Sequence, residues 1–271
     1  MHLALQIRDS SPRSQKIIIW NTIVQHLYDQ EASKHDFLVS NQHLTMRDDG
    51  TLDIQAQGNF KLAEFALGQM ATHLNIPRDY VRRMAGSATG LLAHNINHWL
   101  QQTEAKRTVR TLGNNLRTYL SDRYKILDHL PLMQAISPSI MQNGLQIVSA
   151  NISEEKLYLK AISPRLNGEV RRGMRCTGVV ISNSEIGAGS LAVKPLIFRL
   201  VCTNGMVMDT ATKRYHVGKR NEFEDFEEYI SDEARIAEEK SLFLKLRDVI
   251  QGSLREEFFN AQLDKLHFYI L

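Results

Sequence analysis

One acidic residue stands inside a loop made of small polar residues. In Ser182-Asn183-Ser184-Glu185-Ile186-Gly187-Ala188-Gly189-Ser190, two glycines permit tight backbone conformations, and successive amides of such a loop can form an anion-binding nest. Glu185 would repel a phosphate there. Its carboxylate suits a cation, a general base or a contact with another subunit, with Asn183, Asn204 and His216 as candidate neighbours. The competing expectation is a plain β-connection whose Asn and Ser side chains satisfy the loop's own amides. Glu185 is thus a weak catalytic candidate, since no second carboxylate or histidine stands near it in sequence.

Other catalytic templates are missing. His94 and His98 sit four apart, the spacing that places two imidazoles on one helix face. The zinc-peptidase version needs a glutamate after the first histidine, and Asn95 stands there instead. With no third ligand to name, no metal is expected. GxxxxGK[ST] and GxSxG are both absent, so no nucleotide or other cofactor is expected either. Cys176 and Cys202 lie far apart in β-type runs, as buried free thiols would.

Basic residues form the stronger pattern. Alternation along a strand from Val170 puts Arg171 and Arg175 on one face. In the hairpin around Gly113-Asn114-Asn115, Lys106 and Arg110 share a face on one strand and Arg117 and Tyr119 on the other. Arg123 and Lys125 follow directly, and Tyr158 and Lys160 share a face in the next hairpin. A sheet presenting cations with interspersed tyrosines can neutralise phosphates and stack bases, which suits single-stranded nucleic acid without a sequence code. The alternative is an ordinary solvated face, because antiparallel sheets routinely turn charge and tyrosine to water.

The elements that must position these residues follow from periodicity. Helical spacing covers 17–28, 60–74, 78–84, 88–101 and 127–142, with Pro77 suited to a first turn and Pro138 interrupting the last of these. The pair around Asn75-Ile76-Pro77, with Arg78, Arg82 and Arg83 on its second member, has the outline of a helix-turn-helix, which any α/β domain can also show. Strands read at 37–39, 44–46 and 52–55 around the Asp48-Asp49-Gly50 turn, and then at 106–112, 116–121, 145–151, 157–163, 170–182, 191–203 and 215–218. Pro195 marks an edge or bent strand. Residues 223–259 return to helical spacing.

The expected class is α+β, with antiparallel hairpins packed on helices. Composition divides the chain into a mainly helical 1–104 with a small hairpin, a β-rich basic core at 105–220 and an acidic helical 221–271, expected to form one compact unit. Residues 221–271 hold 6 basic against 13 acidic residues and the remainder 27 against 17, a layout common in nucleic-acid-binding proteins. No apolar run is long enough to span a bilayer, and the N-terminus lacks a signal-peptide pattern, so a cytoplasmic protein without membrane contact is expected.

Three segments carry a resemblance: YLSDRYKILDHLPL at 119–132, starting within the β-rich part, ISNSEIGAGSLAVKPLIFRLVCTNGMV at 181–207, and more loosely NIPRDYVRRM at 75–84. They resemble a family of phage and plasmid proteins known as domain of unknown function 932. The resemblance covers most of the chain and implies a mobile-element protein, with no catalytic residues to carry over and any further C-terminal element missing. A fold-level analogy extends to single-strand annealing recombinases, which assemble into rings or filaments without nucleotide hydrolysis. The leading expectation is a homo-oligomeric protein binding single-stranded DNA in recombination or replication. The alternatives are an enzyme centred on Glu185, and a module that binds a host protein through Glu224, Asp225, Glu227 and Glu228.

Overall fold

Two separate runs of alternating hydrophobicity build two six-stranded sheets, each with its own core. The computed structural model describes residues 3–6, 13–170, 173–199, 206–207 and 231–261, and side chains over most of that range. The chain divides into two compact units, one made of residues 1–27 with 126–271 and the other of 28–125. The compositional boundaries at 104 and 220 are therefore not where the fold divides. The hairpin after residue 105 belongs with the strands before it, because its outer strand pairs with residues 34–40.

The unit of residues 28–125 holds β2 (Lys34–Ser40), β3 (Leu44–Met46), β4 (Thr51–Ile54), β5 (Gly58–Leu62), α2 (Glu64–His73), α3 (Arg78–Ser87), α4 (Thr89–Gln102), β6 (Lys106–Leu112) and β7 (Asn115–Ser121). Its sheet runs β2-β6-β7-β5-β4-β3, antiparallel except for a short parallel contact between β5 and β7. Asp49 makes the β3–β4 turn: its Oδ1 accepts from the Thr51 amide (2.9 Å) and hydroxyl (2.6 Å), while Gly50 takes the left-handed φ of 84°. These two hydrogen bonds, the hydroxyl one first, hold the Asp49 carboxyl below its ordinary pKa.

Residues 60–62, expected as the start of a helix, belong to β5 (Gly58–Leu62) instead. The chain turns into α2 only after Leu62. That early turn leaves the second half of β7 without a strand neighbour on that side. Gln69 of α2 takes the place of one, its Oε1 accepting from the Tyr119 amide and the Thr118 hydroxyl at 2.9 Å each. Leu44, Leu52, Met70, Leu92, Ile96, Val109 and Leu116 are fully buried in this unit's core.

The other unit contains β1 (Leu3–Gln6), most of α1 (Arg13–Glu31), α5 (His129–Gln142), β8 (Gln146–Ile152), β9 (Leu157–Val170), β10 (Gly173–Asn183), β11 (Ala192–Arg199), β12 (Met206–Val207) and α6 (Asp232–Ser253). The strands lie in the order β1-β8-β9-β10-β11-β12, all antiparallel. The periodicity reading contains no β1. β11 is not an edge strand, although β12 borders it only at Leu196 and Ile197, just past Pro195. Ile147, Ala150, Leu157, Leu159, Ala161, Val179, Ile181 and Val193 turn to one face and pack with Trp20, Ile23 and Leu27 of α1, Met133 and Ile136 of α5, and Phe243, Leu246 and Ile250 of α6.

The class is α+β, as expected. Among the described residues no helix is long and apolar enough to cross a membrane.

Candidate nucleic-acid interface

In the unit of residues 1–27 and 126–271, all three long helices pack on one face of the sheet. The opposite face carries a small apolar cluster of Ile162, Val180 and Leu196 with part-buried Val148 and Tyr158. Register places Lys160 directly across from Val180 on one side and Lys194 across from it on the other. Two strand spacings separate the lysines, roughly 10 Å. One row along, Tyr158 lies across from Ser182, which faces Ala192 in turn. Tyr158, Lys160 and Lys194 are all part-exposed, and burial raises the Tyr158 phenol's pKa. The expected pairing of Tyr158 with Lys160 on one face is present; Lys194 joins them from a strand the sequence reading did not connect. Its alternation with apolar Val193 was the available signal.

The hairpin β6–β7 differs from its expected role. Arg110 is 2 % exposed and lies directly across from Asp36, with Nε donating to Oδ1 at 2.6 Å and Nη2 to Oδ2 at 2.7 Å. Arg117 is buried as well, where the β6–β7 register slips between Arg110 and Thr111. Tyr119 is fully buried opposite Val109, and its hydroxyl donates to Asn41 Oδ1 at 2.5 Å. These three residues hold the fold together and are not available to stack or neutralise a ligand. Burial is the main reason the Tyr119 phenol's pKa is raised. Lys106, Arg123 and Lys125 do reach solvent. Because Arg107 faces Ser121, all three stand at the same end of the hairpin. Arg171 and the side chain of Arg175 lie outside the described residues; the Arg175 backbone pairs with Gly168 and Arg199.

Glu185 is a structural residue. It is 1 % exposed, and its Oε1 accepts from the His129 amide at 2.9 Å, in the first turn of α5. The helix's own cap residue, Asp128, makes no side-chain cap bond, so Glu185 supplies it from 56 residues away, at the positive end of the helix. The neighbours serve the same junction. Asn183 Nδ2 donates to the Leu127 carbonyl (2.7 Å) and lies 3.0 Å from His129 Nδ1, while the Ser184 hydroxyl donates to the Glu155 carbonyl (2.7 Å) and accepts from the Ala188 amide (2.9 Å). Ser and Asn side chains thus satisfy the local backbone, and the carboxylate is sealed from any substrate. Asn204, His216, Glu224, Asp225, Glu227, Glu228 and Cys202 lie outside the described residues, as does the Cys176 side chain.

His94 and His98 are exposed on α4, and His98 sits edge-on to Trp99 with centroids 5.1 Å apart. Among the described residues no cluster of three or more metal-ligating side chains occurs. In α3, Arg82 pairs with Glu64 (3.3 Å) and Asp79 (3.8 Å), and Arg78 Nε donates to the Thr72 hydroxyl at 2.8 Å. Two of the three arginines of the helix-turn-helix outline therefore bond within their own unit.

Fold and surface together define an α+β protein that backs one sheet with helices and leaves a lysine–tyrosine row on the sheet's other face. No family model, curated protein or solved structure matches the chain.

Proposed function

We propose that this protein binds single-stranded nucleic acid along the face of the β8–β11 sheet opposite α1, α5 and α6, as a mobile-element protein that handles strands in recombination or replication without hydrolysing nucleotide. The observation that carries the reading is the Lys160–Val180–Lys194 row with Tyr158 beside it. Two part-exposed lysines held about two strand spacings apart by the ladder lie within reach of successive phosphates of a polyanion crossing the middle strand. Tyr158 offers a ring face on which a base can stack, with no requirement for base identity. The resemblance to phage and plasmid proteins supports the biological setting, and the missing phosphate-binding loop agrees with a passive binder. Self-association, which would align such faces along a strand, and a cytoplasmic location belong to the same proposal.

The test is fluorescence anisotropy with a labelled oligothymidylate at several salt concentrations, comparing the wild type with Lys160→Glu/Lys194→Glu and with Lys240→Glu as a control on α6. Loss of two phosphate contacts should flatten the log–log salt slope by about 1.4. The proposal is lost if the wild type binds no more tightly than the double variant, or if its affinity ignores salt.

A further inference from the structure

Arg107 packs over the ring of Tyr119. It is part-exposed at the start of β6, and among the described residues no carboxylate pairs with it. Its guanidinium carbon lies 5.6 Å from the centre of the Tyr119 ring, and its Nε is buried without a hydrogen-bond partner. A buried donor of a charged group is costly to leave unused, so this Nε–H is available to an acceptor that reaches it. A second titratable group packs against the same ring. His73, at the end of α2, packs edge-on to Tyr119 with centroids 5.8 Å apart. Burial first, and then the positive charge of Arg107, lowers the His73 pKa. Two such groups around one tyrosine, with no carboxylate paired to Arg107 among the described residues, would each be favoured in the charged form by a nearby anion.

The surroundings point the same way. Lys106, Arg123 and Lys125 stand exposed at this end of the hairpin and outnumber the acidic residues there, Glu104 and Asp122. The Tyr119 hydroxyl donates to Asn41 and its oxygen is engaged by the Arg107 side chain, so the remaining donors are the Arg107 Nε–H and, when protonated, His73. A planar guanidinium within electrostatic reach of an imidazole, both packed on one ring, suits a tetrahedral oxyanion.

We infer that Arg107 and His73, held against Tyr119 in the unit of residues 28–125, form a binding site for a phosphate group. The site does not rest on the lysine row of the other sheet. Its phosphate can come from a strand's phosphodiester backbone or from a free phosphate or nucleotide.

The experiment is NMR on the full chain, following the Arg107 Nε–H and the His73 ring. Inorganic phosphate, thymidine 5′-monophosphate and an oligothymidylate are titrated in turn, against sodium chloride at matched ionic strength. The expected result is a saturable shift of the Arg107 Nε–H with phosphate but not with chloride, together with an upward move of the His73 titration midpoint. Affinity should therefore rise as pH falls. Arg107→Gln should abolish the response, and Arg107→Lys, which keeps the charge but loses the fork, should weaken it about tenfold. Saturation by the oligonucleotide at far lower concentration than by phosphate assigns the site to a strand; comparable concentrations assign it to a free phosphate. An Arg107 signal that responds no more to any phosphate than to chloride overturns the inference, whatever the variants do. So does a His73 midpoint that stays fixed through the titration. Failure of the lysine-row reading registers separately, in Lys160→Glu/Lys194→Glu.

Discussion

Arg110 and Asp36 face each other across the β2–β6 ladder and join by two parallel hydrogen bonds of 2.6 and 2.7 Å. The guanidinium is 2 % exposed, whereas the Asp36 side chain retains 41 % of its exposure. An arginine so placed is committed to its carboxylate, because a buried cation without a partner is far more costly than the pair itself.

Asp36→Asn should destabilise the protein by about 3 kcal/mol, the lower end for breaking a buried pair, because Asp36 still meets water. Arg110→Met, which removes the charge and keeps the volume, should cost less. Urea unfolding measures both. Neither substitution should change the salt slope of oligonucleotide binding, and a reduced slope for Arg110→Met would return that residue to the interface.

The buried Glu185 cap gives a second prediction. Glu185→Gln keeps an acceptor for the His129 amide, whereas Glu185→Ala leaves that amide and the α5 N-terminus uncapped. The alanine variant should lose about 1–2 kcal/mol and the glutamine variant clearly less. A catalytic carboxylate would behave differently, with both substitutions abolishing an activity while stability held. The same junction fixes a tautomer: Asn183 Nδ2 donates to the Leu127 carbonyl, so His129 Nδ1, 3.0 Å away, must accept. Nitrogen-15 NMR should find the His129 proton on Nε2.

How much of this was legible in the sequence depends on how local the cause is. The Asp48-Asp49-Gly50 turn is legible because two residues carry its geometry, the aspartate acceptor and a glycine at positive φ. β5 is not, because Phe60 and Leu62 also extend the helical spacing of Phe65 and Met70; only pairing with β4 and β7 decides. Alternation puts Tyr119 and Arg117 on one face, but the register slip between Arg110 and Thr111 breaks the count and turns Tyr119 into the core. Arg110 and Glu185 carry no mark of their burial, since their partners lie 74 and 56 residues away. The half-buried Arg107 had a usable signal: two residues from core-facing Val109 on one strand, it shares that face, an odd place for a guanidinium.

Two glycines predict opposite outcomes. At Gly178 in β10, a Cβ would fall 2.2 Å from the Ala161 carbonyl oxygen and 2.9 Å from the Ile162 Cα, both backbone atoms of β9. Gly178→Ala must force the two strands apart beside the Lys160–Val180 row, with a cost of about 3 kcal/mol or more. At Gly68, inside α2, a Cβ meets nothing within 4 Å. Gly68→Ala should stabilise by about 0.5–1 kcal/mol, by restricting the unfolded chain and favouring the helix. Thermal melts of the two variants report both signs.

His73 should make stability depend on pH in a stated direction. Its ordinary pKa is 6.5, and burial together with Arg107 lowers it in the folded chain. The unfolded chain therefore takes up a proton more readily than the folded one, and acid favours unfolding. The His73 contribution is complete above pH 6.5, is lost as pH falls from there towards the folded-state midpoint, and stays constant below it. Other groups titrate in the same range, so the measurement is the difference in urea midpoint between the wild type and His73→Asn, followed across pH. That difference should shift towards the asparagine variant as the solution is acidified. Arg107→Gln removes the Coulombic part and keeps the burial, so its decline should be shallower than the wild type's. Saturating phosphate should also shrink the decline, because a bound anion raises the folded-state midpoint back towards that of the unfolded chain. A wild-type decline as steep with phosphate as without it would separate His73 from any anion at Arg107, even if both residues still contact Tyr119.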